Sequence, residues 1–339
     1  MRDTFARTLF EVAQTKPDVF IVVADISPAG SMGPFREQFP RQFINVGVAE
    51  QSMIGLCAGL ALRGCTPFAY TIATFAIYRA FEMVRDDLCY QNLPVTVVGI
   101  GGGVTYSVLG GTHHSQEDVA IMSALPNMSI LAPCDPLETK AATWASADAS
   151  GPVYLRLGKA GEPVLTEHAV EPFVFGKLRY LRRGADTCVV SYGPIMKMAL
   201  EVADGLAATG RSVSVVSAHT LKPLDRDSLA GLLGNHAEVV IVEEHSPHGG
   251  LSAQTKQLAW EMGASCSLYA FTLQDQFIHV YGTHAELLGA HGLDAGRILR
   301  AVQDGSARED GPARRTPVGA ARPSSADGVA SATPFRRSA

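Results

Sequence analysis

Apolar residues recur at helical spacing near the start of the chain, at Phe5, Leu9, Phe10, Val12 and Ala13. The pattern then changes to an unbroken, mostly β-branched run over residues 19–24. A three-to-four-residue period predicts an amphipathic helix, and a short continuous apolar run predicts a strand covered on both faces. The same exchange repeats along the first half. Strands are expected near 43–46, 66–71, 95–100, 129–132 and 153–157, with helices near 50–63, 75–90, 117–124 and 136–147. Alternation of this kind predicts an α/β domain: a mostly parallel sheet with helices on both faces.

Gly158, Gly161, Pro163 and Pro172 interrupt the rhythm. It resumes with strands near 187–191, 212–217 and 238–243, helices near 195–209, 226–233 and 250–262, and a final helix near 284–303. The reading is therefore two consecutive α/β domains, at 1–160 and 185–304, joined by a linker over 161–184. From residue 305 to 339 the chain turns to Ser, Ala, Pro, Gly and Arg with few large apolar side chains. Such a segment buries too little surface to offset its ordering entropy and is expected to be disordered.

Composition narrows the function classes. Of 339 residues 47% are hydrophobic, enough for two ordinary cores, and the formal net charge is −5. Nucleic acids and anionic membranes are bound through clustered Lys and Arg, so neither is an expected partner. No apolar stretch reaches the length of a membrane span, and no secretory signal is evident, so a cytoplasmic location is expected. The six cysteines include no CxxC pair, a usage that suits free thiols in a reducing compartment.

Three stretches could carry chemistry. Asn45-Val46-Gly47-Val48-Ala49-Glu50-Gln51 delivers a carboxylate from a strand end to the first turn of a helix, where α/β proteins bind ligands; Glu50 at that place also complements the helix dipole. Phe75, Tyr78 and Phe81 lie three residues apart and drift slowly round one helical face, as core side chains or as walls for a flat ligand. Gly110-Gly111-Thr112-His113-His114-Ser115-Gln116-Glu117-Asp118 places two imidazoles beside two carboxylates. Adjacent histidines point to different sides and no further ligand stands at metal spacing, so no metal site is assigned. A histidine in a Gly-rich loop suits proton transfer or oxyanion stabilisation. Gly99-Ile100-Gly101-Gly102-Gly103-Val104 partly imitates a dinucleotide fingerprint, but Val104 stands at its third glycine and no convincing helix follows.

Taken in order, GVAEQ, TF-x-x-Y-R-x-F, G-x-THH-x-x-ED, ALPN and AP-x-D-x-x-E resemble the thiamine-diphosphate enzymes of the transketolase group. The resemblance covers about residues 1–300 and extends to Gly193-Pro194 and Leu221-Lys222-Pro223-Leu224-Asp225. It implies a pyrimidine-binding domain followed by a transketolase C-terminal domain. It further implies that Glu50 bonds N1′ of the cofactor's aminopyrimidine, that Phe75, Tyr78 and Phe81 enclose that ring, and that Asp25 lies near the thiazolium. His113 would contact the reacting substrate oxygen, and Arg156 would bind a substrate phosphate; His114 is not matched to a family residue and is named beside His113 as a substrate-binding candidate. The implied activity is transfer of a two-carbon ketol unit from a ketose to an aldose.

The chain contains no GDG motif, with which the family holds Mg²⁺ and the cofactor's diphosphate. It thus resembles the C-terminal half of a split enzyme whose pyrophosphate-binding half is a separate subunit, with an α2β2 heterotetramer as the expected assembly. The loop before Thr112 also lacks the histidine and acidic pair with which transketolases read their sugars, so an unusual or unphosphorylated sugar is expected. Three alternatives stay open: an E1 β-type subunit of a 2-oxo acid dehydrogenase, a deoxyxylulose-phosphate-synthase-like carboligase, and a degenerate interaction subunit without chemistry.

Overall fold

A computed structural model describes residues 1–26 and 31–305. Residues 27–30 and the expected disordered tail beyond Gly305 lie outside the described residues. Six parallel strands form most of the first sheet: β1 (Val19–Val23), β2 (Phe43–Asn45), β3 (Thr66–Ile72), β4 (Thr96–Ile100), β5 (Ser129–Leu131) and β6 (Val153–Leu157). The second sheet comprises β7 (Arg179–Arg182), β8 (Thr187–Ser191), β9 (Val213–Ser217), β11 (Glu238–Val242) and β12 (Ser267–Phe271). Between β9 and β11 in the chain lies β10 (Thr220–Lys222), which leaves its neighbours and pairs antiparallel with β5. The strand orders are β10-β5-β6-β4-β3-β1-β2 and β12-β11-β8-β9-β7. The expected pair of mostly parallel α/β layers is what forms.

The strands are apolar on both faces because both faces are covered. Every residue of β4 and β6 is buried. On one side of the first sheet, the helices Arg2–Thr15 and Pro136–Ala147 pack Phe5, Leu9, Val12 and Ala142 against Ile21, Phe68, Tyr70 and Leu155. On the other side a single apolar cluster runs from Met53, Ile54 and Val97 through Leu221 to Val190, Val216 and Leu251. That cluster belongs to both sheets, so the two halves share a core instead of touching at a polar seam. At roughly 25 cal/mol per Å² of buried apolar surface, such a cluster is the main term holding them together.

Several local features differ from the periodicity. β7 falls inside the 161–184 stretch and joins the second sheet antiparallel to β9. β12 was not evident from the sequence, because Ser267–Phe271 is a sheet-edge strand whose residues are mostly half-buried. The expected final helix is two, His284–Ala290 and Ala295–Gln303. Gly292 at φ +82° turns the chain between them, and Asp294 caps the second by accepting from the Arg297 N–H at 2.9 Å. Residues 75–90 are helical, but Phe75–Arg79 and Val84–Tyr90 have π geometry on either side of a short α-turn, Phe81–Met83. No helix among the described residues is long and apolar enough to cross a membrane. The six cysteines are free thiols, four of them buried.

Candidate active site

The carboxyl ends of β1, β2 and β3 converge on one edge of the first sheet. Asn45, the last residue of β2, ties that edge: its Oδ1 accepts from the backbone N–H of Asp25 at 3.1 Å and of Gly47 at 2.9 Å. Gly47, at φ +71°, makes the turn that sends the chain into the helix Glu50–Leu62. Glu50 is the first residue of that helix, where the dipole favours a negative charge. Its side chain is 2% exposed, and Oε2 accepts from Arg79 Nη1 at 2.9 Å. Asp25 lies at the end of β1, exposed, with φ +59°.

The π geometry of Phe75–Arg79 explains how Arg79 arrives there. Its wider i→i+5 turn moves residue i+3 off the face of residue i and leaves i+4 near it. Arg79 accordingly lies over the Phe75 ring, with Cζ 5.2 Å from the centroid. Tyr78 swings away, and its hydroxyl donates to Glu117 Oε2 at 2.6 Å. Burial, then the nearby Asp118 and Glu117, push the Tyr78 phenol up from its ordinary range, so it stays a donor. Phe81 does not join Phe75 or Tyr78; it packs against the apolar cluster shared by the two sheets. The evenly spaced aromatic stripe expected from an α-helix is thus divided, because the helix changes its pitch.

His113 completes the group. Its ring meets Phe75 edge-on at 5.1 Å and Tyr106 at 6.1 Å, and Nδ1 lies 2.9 Å from the Thr112 hydroxyl. Burial lowers the affinity of its imidazole for a proton, which favours the neutral ring at physiological pH. Glu50, Arg79, Phe75 and His113 therefore form one continuous run of contacts. Arg79 and Tyr106 were not singled out from the sequence; the Y-R-x-F spacing held Arg79, but only the π-turn gives it a direction.

The loop that carries His113 is held from below. Gly103 and Ser115 exchange backbone hydrogen bonds at 2.9 and 2.8 Å, closing residues 103–115 into a loop that has a short 3-10 turn at Ser107–Leu109 but no helix over residues 113–117. His113 and His114 therefore do not pair with Glu117 and Asp118 as one helix would pair them. Asp118 instead accepts from Tyr154 Oη at 2.8 Å and Arg156 Nε at 2.7 Å on Oδ2, and from the Val119 N–H at 2.9 Å on Oδ1. Arg156 is 3% exposed, also donates to the Glu244 carbonyl at 3.0 Å, and lies beside the Tyr192 ring. Burial alone would loosen its proton, but Asp118 overrides that and raises its affinity. Its guanidinium is thus engaged inside the fold and is not brought to Glu50 and His113. His114 is buried against the backbone of Tyr106 and Ser107. No group of three or more His, Cys, Asp or Glu among the described residues is placed to hold a metal ion.

Comparison with known proteins agrees with this layout. Residues 1–161 match the pyrimidine binding domain of transketolase and residues 176–298 the transketolase C-terminal domain. The chain is 32% identical to one of the subunits of the apulose-4-phosphate transketolase of Phocaeicola vulgatus, over 88% of this chain and 95% of that one. It is 33% identical to a putative transketolase C-terminal section of Methanocaldococcus jannaschii, over 91% and 97% of the two chains. A split-gene transketolase solved as an inactive β4 tetramer superposes with a TM-score of 0.81 at 34% identity, covering 89% of this chain and 97% of that one. With both domain matches in chain order and relatives aligned almost end to end, the chain belongs to the transketolase family, among its separately encoded C-terminal subunits.

Proposed function

We propose that the chain is the C-terminal subunit of a two-subunit, thiamine-diphosphate-dependent transketolase that moves a two-carbon ketol unit from a ketose to an aldose. The observation that carries this reading is the continuous run Glu50–Arg79–Phe75–His113 at the carboxyl edge of the first sheet. A flat heteroaromatic cofactor fits the residues present: a buried carboxylate at a helix start, a half-buried phenyl ring joined to it through Arg79, and a histidine against that ring. When bound, thiamine diphosphate supplies the electron sink for making and breaking the carbon–carbon bond.

This chain's residues would hold, orient and move protons. Glu50 would accept a hydrogen bond from the pyrimidine edge and set its tautomer, with Arg79 fixing the carboxylate's rotamer. Phe75 would pack on the ring, and Tyr78 would close its side through Glu117. His113, neutral and loop-borne, would give or take a proton at the substrate oxygen. Mg²⁺ and the diphosphate would be held by a partner subunit carrying the GDG motif, in an α2β2 heterotetramer of the cytoplasm. The substrate is read as a sugar or sugar phosphate. Because Arg156 is engaged with Asp118, this chain would read a phosphate, if one is present, through other groups.

The test is reconstitution of this chain with a pyrophosphate-binding partner, Mg²⁺ and thiamine diphosphate, assayed against ketose donors and 2-oxo acids. Ketol transfer from a ketose without CO₂ is the expected result. Release of CO₂ from a 2-oxo acid would favour the dehydrogenase or carboligase alternatives, and absence of cofactor binding would favour the degenerate interaction role. Glu50→Gln is expected to lower turnover by about 10²-fold or more with the fold intact.

A further inference from the structure

Glu243, Glu244 and His245 follow β11 in the second sheet. The Glu243 carboxylate stays within that domain, accepting from Tyr192 and from the Leu251 and Ser252 N–H groups, whereas the Glu244 and His245 side chains reach the first domain. Glu244 is 2% exposed. Its Oε1 accepts from the Val104 backbone N–H at 2.7 Å and lies 2.8 Å from His284 Nε2. Its backbone carbonyl accepts from Arg156 at 3.0 Å. The next residue, His245, accepts from the Ala120 N–H at 3.3 Å through Nε2, in the helix Asp118–Ser123 that follows the same loop. Two consecutive residues of the second domain thus grip both ends of the segment that carries His113 and His114.

The glycines of that segment bear the mark of this grip. A Cβ on Gly103 would lie 2.4 Å from Glu244 Oε1, and a Cβ on Gly102 would lie 2.5 Å from the Arg156 guanidinium. The Gly101-Gly102-Gly103 run therefore lets side chains approach the backbone, and no dinucleotide phosphate is needed to explain it.

We infer that Glu244 is a positioning residue: its carboxylate latches the second domain to the Val104 amide and so fixes the loop that presents His113. The inference rests on the reading of His113 as a residue acting on substrate. Four charged or titratable groups face the latch from the elements packed against it: His284, His291, His114 and Arg156. Behind His284 stands Glu162, which is paired at 2.6 Å with the chain's N-terminal ammonium. Glu244 Oε2 and His291 Nε2 are buried with no described partner, so the latch is held mainly from one oxygen and can be released by a single change.

The experiment uses the reconstituted complex and follows amide hydrogen exchange over residues 100–116 together with kcat and KM. Glu244→Ala is expected to speed exchange across that segment about tenfold or more while β3 and β4 stay protected, and to lower kcat by about 10- to 100-fold with KM little changed. Glu244→Gln, which keeps an acceptor for the Val104 amide, is expected to restore slow exchange and most of kcat. His284→Ala, which leaves the carboxylate in place, should loosen the loop to a smaller degree and covers the case in which Glu244→Ala fails to fold. Unchanged exchange in both alanine variants would overturn the latch. Faster exchange with unchanged kcat would overturn the positioning role where His113→Ala is itself inactive. If His113→Ala is fully active as well, the assignment of His113 falls and the positioning role falls with it.

Discussion

Arg156 stands where the family resemblance implies a guanidinium for a substrate phosphate, yet its Nε bonds Asp118 at 2.7 Å in a site 3% exposed. Removing one partner of a buried pair leaves an uncompensated charge, at a cost of about 3–5 kcal/mol. Arg156→Met is therefore expected to lower the urea midpoint strongly and to abolish activity on every substrate. A phosphate-binding arginine would behave otherwise, raising KM selectively for phosphorylated sugars. Arg79 is the contrasting case. It is half exposed and its ion pair with Glu50 contributes little to stability, so its importance lies in aiming one carboxylate. The sequence displayed Glu50, Phe75 and His113 because each sits in a short motif whose spacing survives folding. It could not display the coupling of Arg79 to Glu50, which are 29 residues apart and meet only through the pitch of one helical turn.

At the scale of elements, the Gly-rich loop shows how backbone conformation is set by side chains from elsewhere. Gly103 has φ +70° and no room for a Cβ. Gly103→Ala combines backbone strain with displacement of Glu244, and is expected to cost about 2–4 kcal/mol, measurable as a fall in unfolding midpoint. The junction of β9 and β10 offers a pH-dependent counterpart. His219 is wholly buried and stacks on Phe173 at 4.0 Å between centroids. Burial, assisted by Arg179, lowers its proton affinity from 6.5 to about 3. Between those values the unfolded chain takes up a proton that the folded chain refuses, so stability falls as pH drops below 6.5 and the loss levels off near 3. His219→Phe should flatten the dependence of the urea midpoint on pH in that interval. Most of the strand–helix alternation of the first domain was legible because strands such as β4 and β6 are buried on both faces and read as continuous apolar runs, whereas the six-residue helix Gly33–Gln38 was too short to show a period. The edge strands β7, β10 and β12 were not legible, since an edge is short, partly exposed and mixed in composition.

At the scale of the whole molecule, the two domains are interleaved. β10 comes from the second half of the chain yet forms the outermost strand of the first sheet, and Leu221 enters the shared core. The molecule is therefore expected to unfold in one cooperative transition, followed identically by fluorescence and far-ultraviolet circular dichroism. A fragment ending near residue 175 should be unstable or aggregate, because β5 would present an unpaired edge. Two domains in series were evident from the broken rhythm near residue 158. Their interleaving was not, because a three-residue strand carries no periodicity that marks which sheet it will join.

The position of β10 also bears on the order of events during synthesis. The first sheet cannot be completed when its own residues have been made. β5 must wait for a strand that emerges roughly 90 residues later, a delay of about 5–20 s at ribosomal speeds of 5–20 residues per second. Throughout that interval the nascent chain carries an open sheet edge, and chaperone demand should concentrate there. Synonymous codon changes that slow translation between β6 and β10 would then lower the soluble yield without altering a single residue.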